Sequence, residues 1–141
     1  MIILIMGLPN SGKTTLSREL AAELGAVHWN ADEVRGAFGT AGKFSILDRI
    51  EQAKRMRFLC DIVDRTAGYV IADFVCPTNE TREAFGDAFT IYVDRIDPED
   101  STYMNTRDLF VPPTKYNLRY DVTSTRHDAL SVITNHQGSW T

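Results

Sequence analysis

The sequence predicts an α/β domain built on a mostly parallel β-sheet. Short apolar runs alternate along the chain with longer segments whose apolar residues recur at helical spacing, an order typical of parallel sheets covered by helices. The first run, Ile2-Ile3-Leu4-Ile5-Met6, is apolar at every position. A continuous run of this kind is characteristic of a strand that is buried on both faces of a parallel sheet.

Each predicted element has its own local signal. A helix over Lys13–Leu24 follows from its apolar spacing and ends at Gly25, a good C-terminal cap. Asn30 or Asp32 can start the next helix and Ser45 the long one after it, whereas Pro112-Pro113 stops helix formation. The predicted strands are 2–6, 26–29, 69–74, 89–93 and 116–122. The predicted helices are 13–24, 32–38, 46–66, 79–85 and 126–134, with a helix or lid over 97–110.

Composition and charge limit the functional classes. The chain has 141 residues, 43% of them hydrophobic, which suits one compact domain over residues 1–141. It carries 15 basic and 19 acidic residues, a net charge of −4, which gives no support to broad capture of nucleic acid or anionic membranes. The apolar segment 1–6 is too short to span a bilayer. Only two cysteines, Cys60 and Cys76, are present, so we expect a cytoplasmic protein with no membrane association.

The segment Gly7–Thr14 fits the phosphate-binding pattern G-x-x-x-x-G-K-[ST] at every fixed position. Its glycines allow backbone N–H groups to turn inward around an anion, Lys13 adds a positive charge, and the Thr14 hydroxyl is a Mg²⁺ ligand. The sequence therefore predicts binding of ATP with Mg²⁺ and a P-loop NTPase fold, with a parallel five-stranded sheet sandwiched by helices. The residues expected at the phosphates are Gly7, Asn10, Ser11, Gly12, Lys13, Thr14 and Thr15.

Two further predicted strands end in chemically useful residues. Asp32 could accept a proton from a substrate hydroxyl or hold a Mg²⁺-bound water, and Arg35 could bind an anionic substrate. The alternative for this pair is a helix cap and a surface ion pair. Asp73 ends an apolar strand, as in a Walker-B segment, and could orient Mg²⁺ through water. It could equally be a hydrated strand-end residue, and His28 is expected to pack within its strand.

These segments resemble the adenylylsulfate kinase (APS kinase) branch of the P-loop kinases. That family's D-G-D-x-x-R segment corresponds to Asn30–Arg35, and its F-S-x-x-D-R-x-E-N segment corresponds to Phe44–Gln52. Its F-I-S-P strand end, with an arginine soon after, is similar to Phe74–Pro77 and Arg82. The resemblance covers residues 1 to about 93 and implies a catalytic role for Asp32 beside Lys13. The substrate ligands that it implies are Arg35, Arg49, Gln52, Phe74 and Pro77.

Several features depart from that family's pattern. Phe74 would stack on the substrate base and Gln52 would replace a family asparagine, yet Phe74 could equally be a core residue and Arg49 a solvated helix residue. Asn30 and Ala31 replace the family's first D-G, and its R-D-P-K-G-L-Y lid signature is absent from residues 100–113. Arg107 or Arg95 is a candidate for the missing lid charge.

The resulting hypothesis is an ATP-dependent kinase, a phosphotransferase that transfers the γ-phosphoryl group to a hydroxyl of a small anionic nucleotide-like acceptor. Adenylylsulfate is the first candidate by resemblance. One alternative is a kinase acting on a nucleic-acid or modified-base hydroxyl, which the negative net charge disfavours. The other is a non-catalytic nucleotide-binding regulatory protein, which the combination of Lys13, Thr14, Asp32 and Arg35 argues against. The sequence leaves the oligomeric state open.

Overall fold

The computed structural model describes residues 1–66, 68–95 and 104–138, apart from the side chains at positions 104, 105, 107, 137 and 138. Five strands and six helices lie in this part of the chain. The strands are β1 (Ile2–Met6), β2 (Val27–Asn30), β3 (Val70–Asp73), β4 (Phe89–Val93) and β5 (Leu118–Tyr120). The helices are α1 (Lys13–Leu24), α2 (Ala31–Phe38), α3 (Ile46–Asp64), α4 (Asn79–Phe85), α5 (Met104–Leu109) and α6 (Arg126–Gly138).

The strands form one parallel sheet in the order β2-β3-β1-β4-β5, which confirms the predicted five-stranded α/β fold. Central strand β1 pairs with both β3 and β4, and Asp73 at the end of β3 lies in register with Ile5 on one side and Asn30 on the other. The carboxyl ends of β1, β2 and β3 therefore meet at one edge of the sheet. Ligands of open parallel sheets bind at such an edge.

The sheet separates two apolar cores, which explains the apolar composition of β1. Ile2, Leu4 and Met6 belong to a core cluster completed by α2, α3 and α4. Ile3 and Ile5 belong to a second cluster, on the side of α1 and α6. Because successive strand residues point to opposite faces, a strand that is covered by helices on both faces has no position for a polar side chain.

Local capping accounts for where the helices start. The Asn30 side chain accepts hydrogen bonds from the Asp32 and Glu33 amides and so begins α2. Ser45 and Asp48 form a reciprocal capping box at the start of α3. These side chains satisfy backbone donors that the first helical turn leaves without partners.

The observed boundaries differ from the predicted ones mainly at the edges of the sheet. Strand β5 covers only Leu118–Tyr120 rather than 116–122, because it is an edge strand that pairs with β4 alone. The predicted helix or lid over 97–110 is helical over Met104–Leu109, and residues 96–103 lie outside the described part of the chain. No helix in the described ranges combines the length and the apolar character that crossing a membrane requires.

The first glycine of the phosphate loop yields a prediction for stability. Gly7 has a φ of +152°, and a Cβ atom there would lie 2.4 Å from the Val93 carbonyl oxygen. We expect Gly7→Ala to lower the free energy of unfolding by about 2–4 kcal/mol, because backbone strain and a backbone clash add together. Urea unfolding followed by circular dichroism measures this change.

Gly36→Ala is the matched control, because Gly36 lies within α2 and an added Cβ there meets nothing within 4 Å. Alanine is a better helix former than glycine, so the free energy of unfolding of this variant should rise by about 0.5–1 kcal/mol. Equal stability of the Gly7→Ala and wild-type proteins would contradict the steric argument.

Candidate active site

The loop between β1 and α1 forms a cradle for an anion. Asn10 and Gly12 have positive φ angles of 62° and 96°, which turn the loop backbone around on itself. The Lys13 side chain folds back over this loop, where its Nζ donates a 2.8 Å hydrogen bond to the Leu8 carbonyl oxygen. The Ser11 hydroxyl is buried and has no hydrogen-bond partner among the described residues. An oxyanion in the loop would supply that partner.

The buried position of Lys13 makes it a strong site for negative charge. Burial lowers the pKa of its ammonium group from 10.5 to about 8, and the nearby carboxylates of Asp73 and Asp32 offset only part of this shift. A bound phosphate therefore stabilises the charged form of this buried ammonium group more than it would stabilise that of an exposed lysine.

Asp73 is the centre of a hydrogen-bond cluster. Its carboxylate is almost fully buried, and Oδ2 accepts hydrogen bonds from Thr14 Oγ1 at 2.9 Å and Asn30 Nδ2 at 3.1 Å. His28 Nε2 lies 3.1 Å from the same oxygen. Burial alone raises the pKa of Asp73, but these three contacts and the charge of Lys13 hold it below its ordinary value. The carboxylate is therefore ionised at neutral pH.

Thr14 and Asp73 fit a magnesium site of the kind that uses few protein ligands. Their oxygen atoms are 2.9 Å apart and lie next to the ammonium group of Lys13. The described residues contain no group of three or more His, Cys, Asp or Glu side chains that could hold a metal ion by themselves. Mg²⁺ takes most of its ligands from water and substrate phosphates, so two oxygen ligands suffice. Asp73 is buried at the end of β3 rather than exposed to bulk water.

Asp32 and Arg35 occupy one side of α2 at the mouth of the site. The Asp32 side chain is 87% exposed, whereas the Arg35 side chain is only 12% exposed. Arg35 Nη1 donates to Asp32 Oδ1 at 3.3 Å. Asp32 is thus accessible to a ligand, while Arg35 is held in place by its surroundings.

Arg35 and Arg49 converge on the ring of Phe44. Their guanidinium carbons lie 4.6 Å and 5.3 Å from the ring centroid. Arg49 Nε donates to the Phe44 carbonyl oxygen and Nη2 donates to Thr106 Oγ1, each at 3.0 Å. Burial lowers the pKa of Arg49, and the positive charge of Arg35 lowers it further. Two guanidinium groups that contact the same ring repel each other, and an anion bound by both would relieve this repulsion.

One cavity of about 890 Å³ joins the phosphate loop to the arginine pair. Its walls come from the loop after β1, the start of α1 and the carboxyl ends of β2 and β3, together with α2, α3 and α5. The residues that line it include Asn10, Lys13, Thr14, Asn30, Asp32, Arg35, Phe44, Arg49, Asp73, Phe74, Cys76, Pro77 and Thr106.

A second, smaller cavity of about 490 Å³ lies on the other side of the phosphate loop. It is lined by Ser11, Gly12 and Thr15 of the loop region and by Tyr120 and Arg95. The Arg95 guanidinium carbon lies 5.6 Å from the centroid of the Tyr120 ring. A flat group that extends from phosphates bound in the loop could therefore contact an aromatic face and a cation here.

Gln52 does not have the position expected of a substrate ligand. It is 2% exposed and does not line the cavity. Its Nε2 donates to the Ala31 carbonyl oxygen at 3.1 Å, and its Oε1 accepts a hydrogen bond from Arg55. The expectation of substrate contact is wrong for this residue, because both ends of the amide are used in packing α3 against α2.

The aromatic ring exposed to the cavity is not the one that the resemblance implies. Phe74 lines the cavity but is only 6% exposed, and its ring packs against Phe85 with centroids 5.5 Å apart. Phe44 is 46% exposed and lines the same cavity. Phe44 therefore exposes part of its ring to the cavity, with Arg35 and Arg49 against it, and Phe74 is mainly a core residue. Arg107 lies in α5, and its side chain is outside the described part of the chain.

Sequence reasoning also missed His28, Asn30 and Thr106 as parts of the site. His28 and Asn30 are two residues apart on β2, so both side chains point to the same face toward Asp73. Strand alternation could have revealed this pair once β2 was placed beside β3. The contact between Thr106 and Arg49 spans 57 residues and has no local signal.

Comparison with known proteins agrees with this geometry. A family model of the AAA domain (AAA_33) matches residues 2–94. An adenylyl-sulfate kinase of Gloeothece citriformis (strain PCC 7424) is 29% identical, and the match covers 65% of this chain. The match spans 57% of that relative's length.

Solved structures show the same fold at low sequence identity. The APS kinase CysC of Mycobacterium tuberculosis, solved in complex with AMPPNP and APS, superposes with a TM-score of 0.75 at 18% identity and covers 94% of this chain and 96% of its own. Shikimate kinase from Aquifex aeolicus superposes with a TM-score of 0.63 at 16% identity, and the match covers 99% of this chain and 98% of the shikimate kinase chain. Similarity at this level establishes the architecture that several kinases share.

The double role of Asn30 yields a prediction. Its oxygen caps α2, and its Nδ2 donates to Asp73. Serine caps helices about as well as asparagine but cannot donate to Asp73 from that position. We expect Asn30→Ser to lower the free energy of unfolding by about 1.5–3 kcal/mol, the range for a hydrogen bond to a charged group. Urea unfolding measures this change.

The control is Thr78→Ser, which alters the N-cap of α4 but no contact with Asp73. It should change the free energy of unfolding by less than about 0.5 kcal/mol. If Asn30→Ser and Thr78→Ser lower the free energy of unfolding by equal amounts, the capping interaction alone explains the role of Asn30.

Proposed function

Because the chain belongs to the AAA_33 family of AAA domains, we propose that it is an ATP-dependent kinase acting on a small anionic acceptor. The acceptor is a nucleotide-like molecule with a free hydroxyl, and adenylylsulfate is the first candidate. One observation carries this proposal. A single cavity has phosphate-binding residues at one end and two converging arginines at the other.

The phosphate-loop end suits ATP. Lys13 and the unpartnered Ser11 hydroxyl face the position of the β- and γ-phosphates, and Thr14 with Asp73 would hold Mg²⁺ partly through water. The metal ion supplies charge neutralisation at the transferred group. The smaller cavity beside the loop, with Tyr120 and Arg95, has the size and composition for the nucleoside part of ATP.

The arginine end suits the anionic group of the acceptor. The planar guanidinium groups of Arg35 and Arg49 can each donate two hydrogen bonds to phosphate or sulfate oxygens. The ring of Phe44 is 46% exposed and contacts both arginines, and Pro77 lines the same cavity. A flat base could stack against the Phe44 ring.

Asp32 is placed to act on the acceptor hydroxyl. In the transfer step, the hydroxyl oxygen attacks the γ-phosphorus atom, the bond to the β-phosphate oxygen breaks, and ADP leaves. Asp32 accepts the hydroxyl proton. Its exposure, its place in the lining of the cavity and its contact with Arg35 support this role.

The choice of acceptor rests on the likeness to APS kinases. The Gloeothece relative is named as an adenylyl-sulfate kinase, and the Mycobacterium structure contains APS. The shikimate kinase structure shows that the same fold can accept a different small molecule. A cytoplasmic location fits the proposal, because Cys60 and Cys76 are both buried as unbridged thiols.

A transfer screen with γ-labelled ATP tests the proposal. Its acceptors are adenylylsulfate, nucleosides, shikimate, and DNA with and without hydroxylated bases. Labelled product from adenylylsulfate, absent with the Lys13→Ala variant, is the expected result. Label on DNA alone would favour the nucleic-acid kinase. ATP binding without transfer to any acceptor would favour a regulatory nucleotide-binding protein.

Asp32→Asn tests the proposed proton acceptor. With adenylylsulfate and ATP saturating, we expect kcat to fall by about 100-fold or more, since a positioned acid–base group usually contributes that much. ATP affinity, measured by calorimetry, should change little. The adjacent exposed carboxylate provides the control, so Glu33→Gln should retain wild-type turnover. Full turnover by Asp32→Asn would assign Asp32 a structural role.

Arg49→Ala tests the anion site. The variant should raise the KM for adenylylsulfate by about 10- to 100-fold, the equivalent of roughly 1.5–3 kcal/mol for a hydrogen bond to a charged group. The KM for ATP should change less than about 2-fold. Lys54→Ala removes an exposed positive charge from the same helix and should leave both values unchanged. If Arg49→Ala raised only the KM for ATP, Arg49 would not belong to the acceptor site.

A further inference from the structure

The acceptor end of the cavity has two walls, and in the part of the chain that the structure describes no helix or strand joins them. One wall is the turn after β3, where Cys76 and Pro77 line the cavity. The other is α5, whose Thr106 also lines the cavity. The relative position of these walls determines the shape of the acceptor site, so whatever links them controls that shape.

Arg82 of α4 makes this link. Its Nε donates to the Cys76 carbonyl oxygen at 3.1 Å, and its Nη2 donates to the Val111 carbonyl oxygen. A backbone hydrogen bond from the Val111 amide to the Pro77 carbonyl oxygen, at 2.8 Å, closes the same connection. One guanidinium group therefore binds the backbone of the turn after β3 and the backbone of the segment that follows α5.

Aromatic packing fixes the position of this guanidinium group. Its carbon lies 5.6 Å from the centroid of the Phe110 ring, and that ring stacks on Tyr92 with centroids 6.2 Å apart. Phe110 directly follows α5, and its amide donates to the Thr106 carbonyl oxygen at 3.0 Å. Thr106 in turn accepts the hydrogen bond from Arg49. Arg49 thus contacts α5 itself at Thr106, and Arg82 contacts the two residues that directly follow α5.

We propose that Arg82 is a positioning residue for the acceptor, which holds α5 against the turn after β3 and so keeps Thr106 in contact with Arg49. The part of this inference that concerns the acceptor rests on the function proposed above. Arginine is required because its planar fork can reach two carbonyl groups at once, whereas the single ammonium group of lysine cannot span them.

Arg57 provides a matched control. It also donates to two backbone carbonyl oxygens, those of Phe85 and Asp87, and its guanidinium carbon lies 5.5 Å from the Phe85 ring centroid. None of these three residues lines either cavity described above. Removing Arg57 therefore costs similar interactions at a place where the acceptor site is not involved.

The first experiment measures amide hydrogen exchange in the full chain without ligand. In Arg82→Met, exchange over residues 106–111 should be at least about 10-fold faster than in wild type, while the amides of α1 keep their protection. Arg57→Met should leave residues 106–111 protected. Unchanged exchange over 106–111 in Arg82→Met, or equal acceleration over the whole chain, would overturn the proposal.

The second experiment measures kinetics with adenylylsulfate and ATP. Arg82→Met should raise the KM for adenylylsulfate by about 10-fold, with the KM for ATP within about 2-fold of wild type. Arg82→Lys should show the same selective rise to a smaller extent, and Arg57→Met none. An equal rise in both KM values would overturn the proposal, because a merely structural role predicts no selectivity.

The two experiments separate the two levels of inference. If the wild-type protein transfers no phosphate to adenylylsulfate, the proposed acceptor is wrong, and the exchange data alone then decide for or against Arg82 as the link between the walls. If transfer occurs but exchange over residues 106–111 is insensitive to Arg82, the positioning role is wrong and the proposed function stands.

Discussion

The buried carboxylate of Asp73 is the constraint on which the site depends. A buried ionised group is costly unless several donors satisfy it, and here Thr14, Asn30 and His28 all contact one of its oxygens. Thr14 belongs to α1, and the other two belong to β2. To satisfy Asp73, the fold must bring the ends of β2 and β3 and the start of α1 within hydrogen-bond distance. That requirement places the Thr14 hydroxyl and the Asp73 carboxylate, the proposed magnesium ligands, beside the phosphate loop.

Asn30 transmits this constraint to the acceptor side. Its amide nitrogen contacts Asp73, while its oxygen caps α2. The direction of α2 then sets the positions of Asp32 and Arg35. Gln52 of α3 also holds α2 in place, because its amide donates a hydrogen bond to the Ala31 carbonyl oxygen. The APS kinase pattern that this segment resembles has an aspartate where this chain has Asn30. An aspartate here would face the Asp73 carboxylate and could not donate the hydrogen bond that the Asn30 amide supplies.

The charge of the cavity contrasts with that of the whole chain. The protein has a net charge of −4, yet Lys13, Arg35 and Arg49 line one cavity in positions where burial lowers the pKa of each. Burial makes each of these cations more responsive to a bound anion than a surface lysine would be. The net charge therefore disfavours extended polyanions, while the cavity favours a small molecule that can enter it.

The sequence by itself determined the sheet, the phosphate loop and the helix starts, because each depends on signals within a few residues: apolar runs, glycine spacing and capping side chains. It also indicated Asp32, Arg35, Arg49 and Asp73, which follow strands or begin a helix near one sheet edge. The tertiary structure alone decided that Gln52 is a packing residue, that Phe44 rather than Phe74 offers its ring to the cavity, and that Arg82 joins the two walls. These outcomes depend on which distant segments pack together, and the burial of a side chain is set by neighbours that its own local sequence does not specify.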